Sequence, residues 1–234
     1  MSALAAINES QATNIALPER LIRHASESGT PEVFADIYRD DINIAIWQRT
    51  LSDPLLLAVN EILKTATRLE IAEAVTAKSV HSKLYQTLGE TDAVKVLSDD
   101  ITLLVDMFCC VFDLKKAGLR LTALDRAMCP RFHFDRIPCR LVTTFHGVAT
   151  EWVPHQLVDR SKLGAGNQGK SDEQSGLFQS IDNIRQLNQG DVALLKGEFW
   201  QDNEGAGLVH RSPVQGQGLI NERRLLLTLD FIND

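Results

Sequence analysis

The sequence predicts an α+β protein, with a helical N-terminal region, residues 1–117, followed by a β region, residues 118–234, the two forming one compact unit. Two observations carry this. Apolar residues recur at helical spacing from Asp53 to about Lys116, and after Gly118 the period changes to two, with short apolar runs separated by turn residues such as Asn188, Gly190 and Asp191. A composition of 44% hydrophobic and 24% charged residues supplies enough apolar material for a real core.

The first 30 or so residues are expected to be loose or peripheral, and Asp41 to Trp47 is a short element of open type. From Asp53 to about Leu84, residues Leu55, Leu56, Val59, Ile62, Leu63, Leu69, Ala72 and Val75 trace a helical stripe, with Asp53 as N-cap, Pro54 at the first helical position and a break near Ser79. A second helix is expected from Thr91 to Lys116 through Val94, Leu97, Ile101, Leu104, Val105, Phe108 and Phe112, stopped by Gly118. The vicinal Cys109 and Cys110 fall inside it, where small core side chains are the expectation. Strands are expected at Leu119–Leu124, Cys139–Phe145, Ile184–Leu187, Val192–Leu195 and Arg224–Phe231. The polar, Gly-rich stretch from Asp159 to Gly176 is longer than a compact connector needs and predicts a mobile excursion over one end of the sheet.

The formal charge of -7 argues against indiscriminate binding to phosphate backbones, so nucleic acid is not the expected partner. No basic leader and no apolar run approaching roughly 18 residues is present. Four cysteines in a chain this long do not form a dense disulfide framework. A cytoplasmic protein with reduced thiols and no membrane contact is the expectation.

The segment Cys129-Pro-Arg-Phe-His133-Phe-Asp135-Arg-Ile-Pro-Cys139 carries the most chemistry. In an extended strand His133 and Asp135 project to one face, where an imidazole and a carboxylate can grip one metal ion. Downstream, Gly207-Leu-Val-His210-Arg-Ser-Pro213 offers a second histidine, and Arg223 and Arg224 open the last strand. Two histidines and a carboxylate form a facial triad that leaves positions of an octahedral Fe(II) open.

His-x-Asp, a distant His and an Arg on the next strand resemble the Fe(II)/2-oxoglutarate dioxygenase superfamily, as does the Gly190-Asp-Val-Ala-Leu-Leu-Lys196-Gly197 turn and strand. Arg131-Phe-His133-Phe-Asp135, Leu141-Val-Thr-Thr-Phe145, Glu151-Trp152, Lys196-Gly197-Glu198, His210-Arg-Ser-Pro213 and Arg223 to Asp230 resemble more closely an uncharacterised bacterial family known only as a domain of unknown function. The superfamily resemblance implies a C-terminal double-stranded β-helix (jelly-roll) barrel with the helical layer packed on it. It also implies Fe(II) held by His133, Asp135 and His210, and 2-oxoglutarate anchored by Arg224 or, as the alternative, Arg223. The implied chemistry is oxidative decarboxylation of 2-oxoglutarate coupled to hydroxylation of a small-molecule or protein substrate. Phe145 departs from the pattern, occupying a region where many relatives use a tyrosine hydroxyl.

Other readings stay open. Cys129, His133, Asp135 and Cys139 make a zinc ligand set, for a zinc-binding protein or a hydrolase with a zinc-bound water, although 3.3 Å per residue puts the two cysteines roughly 33 Å apart in an unbroken strand. A non-catalytic interaction protein on the same barrel is the third. Gly164-Ala-Gly-Asn-Gln-Gly169-Lys170-Ser171 satisfies the phosphate-loop pattern, but no apolar strand leads into it, so a surface loop is expected there. His24 and His81 read as surface residues. His146 and His155 are candidates to line a substrate site, Trp152 and Trp200 to pack at barrel ends or stack on substrate, and Glu151 and Glu198 to act as general acid or base.

Overall fold

The computed structural model of the protein describes residues 22–66, 68–213 and 223–232. Its strands are β1 (His24–Ser28), β2 (Ile42–Trp47), β3 (Glu70–Val75), β4 (Ala117–Leu124), β5 (Cys139–His146), β6 (Glu151–Val153), β7 (Arg185–Gln186), β8 (Val192–Lys196), β9 (Val209–Arg211) and β10 (Arg224–Asp230). Seven of them pair in the order β1-β2-β8-β5-β10-β4-β3, and β7-β6-β9 form a second, three-stranded sheet. Every pairing is antiparallel except that of β1 with β2.

The two faces of the large sheet do different work because β10 alternates. Leu225, Leu227 and Leu229 point to one face and are fully buried against α1 (Asp53–Thr65), α2 (Val80–Leu88) and α3 (Asp92–Phe112). Leu97, Ile101, Leu104, Val105 and Phe108 form the buried stripe of α3, and Thr91 caps its start by accepting the Val94 amide at 3.2 Å. On the opposite face Ile44, Ile46, Val142, Ala193, Leu195 and Leu226 meet Trp152, Leu187 and Leu208 from the small-sheet side. The protein is thus a mixed α+β structure, with helices on one face of a large, mostly antiparallel sheet and a small sheet on the other.

Several sequence expectations are corrected. The single helix expected from Asp53 to Leu84 is α1, the edge strand β3 and then α2. The β3 residues Glu-Ile-Ala-Glu-Ala-Val have strong helix propensity; their pairing with Thr122 to Ala117 of β4, a non-local constraint, overrides it. The large sheet therefore takes β1, β2 and β3 from before Gly118, including the open-type segment Asp41–Trp47, whose Ile42 to Ile46 are buried within it. Residues 1–21 lie outside the described residues. Of the remainder of the stretch expected to be loose, His24–Ser28 form β1 at the edge of the large sheet. Helix α3 ends at Phe112, with Asp113 in the left-handed region at φ 51°, rather than at Gly118. Gly118 lies within β4, where a Cβ would meet Ile232 Cγ2 at 2.7 Å. Cys110 is exposed, off the apolar stripe of α3, whereas Cys109 is half-buried and packs against the helix-side core.

The excursion through residues 159–176 is built of short turns and the four-residue α4 (Asp172–Ser175). Val158, Leu177 and Phe178 pin its ends against Phe132, Val153 and Val209. No strand leads into the phosphate-loop-like segment, which forms a turn at Gly164–Asn167. Among the described residues no helix is long and apolar enough to cross a membrane.

Replacing Leu227 by Ala should lower the unfolding free energy by about 2–5 kcal/mol. Leu57→Ala, at a side chain that is 71% exposed, should change it by less than about 0.5 kcal/mol. Urea unfolding of both variants checks the pair.

Candidate metal centre

Two loops and one short strand build the site. The segment around His133 and Asp135 is not the regular strand expected from sequence. Its one ladder contact is an isolated antiparallel bridge, in which the His133 amide donates to the His210 carbonyl at 3.0 Å and the His210 amide returns a bond at 2.9 Å. That bridge places the two imidazoles side by side, with ring centroids 4.6 Å apart. Asp135 is set by a second strap: its carbonyl accepts from the Glu198 amide at 2.9 Å, and the Pro138 carbonyl accepts from Gly197 at 2.8 Å. Position 197 must be glycine for this, since a Cβ there would lie 2.0 Å from the Ile137 carbonyl oxygen.

His133, Asp135 and His210 each offer a ligand atom, and these atoms lie within 4.8 Å of one another. His133 Nε2 is 3.8 Å from Asp135 Oδ1, and His210 Nε2 is 3.6 Å from Asp135 Oδ2. Atoms bound to one ion at roughly 2.0–2.2 Å lie at most roughly 4.4 Å apart, so a small contraction closes this set around a cation. Both rings are oriented for it. His133 Nδ1 lies 2.9 Å from the Arg131 carbonyl and His210 Nδ1 3.2 Å from that of Leu208. A carbonyl only accepts, so each Nδ1 carries a proton, and in the neutral ring Nε2 is the nitrogen with the lone pair. Burial pushes the His210 pKa down to about 4 against the opposing pull of Asp135, which keeps this imidazole neutral at neutral pH.

Arg140 on β5 fixes the carboxylate. It donates from Nη1 to Asp135 Oδ2 at 2.7 Å, while its Nε and Nη2 grip both oxygens of Asp230 at 2.7 and 2.9 Å. The Asp135 carboxylate is thereby tied to β5 and β10, and Oδ1 is left facing His133.

His133 and His210 open onto a cavity of about 270 Å³, whose far wall includes Arg224, Thr150 and Leu226. Arg224 is buried, and Nη2 donates to Thr144 Oγ1 at 3.0 Å and to Thr150 Oγ1 at 2.8 Å. Among the described residues no carboxylate neutralises it. Burial lowers its pKa to about 10, which still leaves it charged at neutral pH. A buried cation held only by two hydroxyls is costly unless a ligand supplies the missing anion.

Arg223 points elsewhere and donates to the Leu63 and Ala66 carbonyls at the end of α1, as alternation along β10 requires. Phe145 lies in the helix-side core, and a register shift near Leu225 and Leu226 presents Thr144 to Arg224 instead. The four-residue zinc set does not assemble: Cys139 is buried in the helix-side core, and the metal-ligating group comprises His133, Asp135 and His210 alone among the described residues. His146 and His155 are not among the cavity-lining residues. Trp152 packs between the sheets, and Trp200 packs against Tyr38 and Phe112. Glu151 is bound to Arg211, and Glu198 to Arg160 and the Gly205 amide, so neither carboxylate is a free acid or base. Arg140, Thr144 and Thr150 were missed in the sequence, where the only signal was the Leu141-Val-Thr-Thr-Phe145 wording.

Comparison with known proteins gives a family. A family model described as a protein of unknown function, DUF1826, matches residues 28–230, and the chain belongs to that family. No curated protein matches it. Among solved structures it is similar to a Pseudomonas putida prolyl-4-hydroxylase (11% identity, 86% of this chain and 96% of that one, TM-score 0.44). It is also similar to an Arabidopsis thaliana dioxygenase for auxin oxidation in complex with 2-oxoglutarate (7% identity, 91% and 93%, TM-score 0.49), and to the corresponding enzyme from rice (11% identity, 89% and 82%, TM-score 0.47).

The lowered His210 pKa has a consequence for the metal-free protein. The unfolded chain takes up a proton near the ordinary 6.5 and the folded one only near 4, so this contribution to stability is complete above about 6.5 and is lost as pH falls towards 4. Denaturation midpoints between pH 7 and 4 should fall less steeply in His210→Gln than in the natural sequence.

Proposed function

We propose that this DUF1826 protein is a non-haem Fe(II)/2-oxoglutarate-dependent oxygenase that hydroxylates a small-molecule or protein substrate on a double-stranded β-helix scaffold made by its two facing sheets. The observation that carries the proposal is the meeting of the His133, Asp135 and His210 group, whose two histidines line the cavity, with a buried Arg224 on the same cavity that has no carboxylate partner among the described residues. The donor set fits Fe(II): two neutral imidazoles and one carboxylate on one side of the ion, leaving the cavity side open. Fe(II) with 2-oxoglutarate and oxygen supplies oxidative decarboxylation to succinate and carbon dioxide, coupled to hydroxylation of the substrate.

The chain's own residues do the rest. His133 and His210 hold their Nε2 atoms towards the cavity because Nδ1 of each is committed to a carbonyl. Arg140 keeps Asp135 from swinging and shares its negative charge with the sheet. Arg224, oriented by Thr144 and Thr150, binds the far carboxylate of 2-oxoglutarate through its planar fork. The apolar side chains that line the cavity, Leu195, Leu226 and Val142, limit water around that ion pair.

Anaerobic Fe(II) loading followed by 2-oxoglutarate titration should give a saturable visible charge-transfer band that His210→Ala abolishes. Arg224→Gln should weaken the 2-oxoglutarate titration roughly 10- to 100-fold, the worth of a charged bidentate bond, without loss of metal. Tight zinc retention with no band would sink the oxygenase assignment.

A further inference from the structure

The same cavity contains a second cationic feature that the cosubstrate leaves unused. On β4, Arg120 stands opposite Thr228 of β10 on one side and Ala72 of β3 on the other, so its side chain belongs to the sheet face that carries Arg224, Thr228 and Asp230. It lines the cavity, is exposed, and among the described residues holds no hydrogen bond or ion pair. The other arginines on the cavity have roles already: Arg140 is paired with Asp135 and Asp230, Arg211 with Glu151, Asp172 and Glu173, and Arg224, oriented by two hydroxyls, is the residue assigned to 2-oxoglutarate. The small, exposed Ala72 leaves the Arg120 guanidinium open from the β3 side.

A second, independent feature lies beside it. Thr122 is two residues further along β4 on the same face, roughly 6.6 Å away at 3.3 Å per residue. The residue is 7% exposed and lines the cavity, and its hydroxyl has no hydrogen-bond partner among the described residues. A buried hydroxyl in that state costs free energy unless a ligand or water completes it. A cation at the mouth and an orphan hydroxyl just inside it form a donor pair suited to an anionic oxygen group. The position is also right for a reacting substrate, because Thr228, opposite Arg120, is two residues from Asp230, which is tied through Arg140 to the metal ligand Asp135. At about 270 Å³ the cavity lies below the roughly 300–1,000 Å³ of sites for drug-sized ligands.

We propose that the primary substrate is a small molecule bearing an anionic oxo-acid group, a carboxylate or a phosphate, and that Arg120 with Thr122 is its recognition site. This rests on the assignment of Arg224 to 2-oxoglutarate, since it is that assignment which leaves Arg120 for the substrate. Arg120 acts on binding and orientation of the substrate and does not touch the metal ligands.

The test observes arginine Nε–H signals by NMR in the full chain loaded with zinc as a diamagnetic stand-in and saturated with 2-oxoglutarate, with acetate and inorganic phosphate as probes. A saturable millimolar shift of the Arg120 signal is expected, and the same titration followed on the Arg140, Arg211 and Arg224 signals of the cavity should be weakened at least about tenfold in Arg120→Gln and less in Arg120→Lys, which keeps the charge but not the fork. Saturation by acetate assigns a carboxylate; saturation by phosphate alone assigns a phosphate ester. No saturable shift with either probe up to about 100 mM, or an unchanged titration of the cavity signals in Arg120→Gln, overturns the proposal. Failure of the cosubstrate assignment reads differently: 2-oxoglutarate then leaves the Arg224 signal unmoved, while the Arg120 titration still decides its own question.

Discussion

The two-residue period of β10, held in register by β4 on one side and β5 on the other, is the constraint on which the rest of the molecule depends. Leu225, Leu227 and Leu229 fall on the face that buries the helices, and Arg224, Leu226, Thr228 and Asp230 on the face that forms the cavity. A slip of one residue would exchange these sets, placing two charges in an apolar core and three leucines on the cavity face. The apolar packing that holds the helices down therefore also fixes where the cationic anchor points. Stability and site geometry are set by one register.

The charges on the cavity face form a graded series. Arg140 and Arg211 are fully paired, which makes them structural braces that aim Asp135 and hold the α4 segment against β9. Arg224 is buried with hydroxyl partners only, and Arg120 is open at the rim. An acidic chain with a formal charge of -7 thus concentrates uncompensated positive charge in one concave place. There a low local dielectric strengthens attraction for a small anion, although the surface as a whole repels polyanions.

The geometry of the His133, Asp135 and His210 group rests on backbone, not on side-chain packing alone. The His133–His210 bridge and the Asp135–Glu198 strap are main-chain hydrogen bonds, and the close approach at Gly197 allows the second to form. Such contacts fix Cα positions before any ion is present, so the ligand atoms need contract little to bind one. The Nδ1-to-carbonyl bonds then select the tautomer that leaves Nε2 free.

Part of the candidate site was legible in the sequence, because ligand chemistry resides in residue identity: His133, Asp135 and His210, singled out by type and order, come together in the structure, while alternation put Arg223 and Arg224 on opposite faces of β10 and left open which of them faces the cavity. The strand periods of β4, β5, β8 and β10 were readable for the same reason, since alternation is local. What only the tertiary structure decided was non-local. Glu70–Val75 becomes a strand because β4 is there to pair with it, and Cys139 leaves the metal set because its side of β5 faces the helices. Thr144, Thr150, Thr122 and Arg120 acquire their places only from neighbours on other strands. Residue type states which bonds a side chain can make; which partners come within reach is fixed by sheet register and burial.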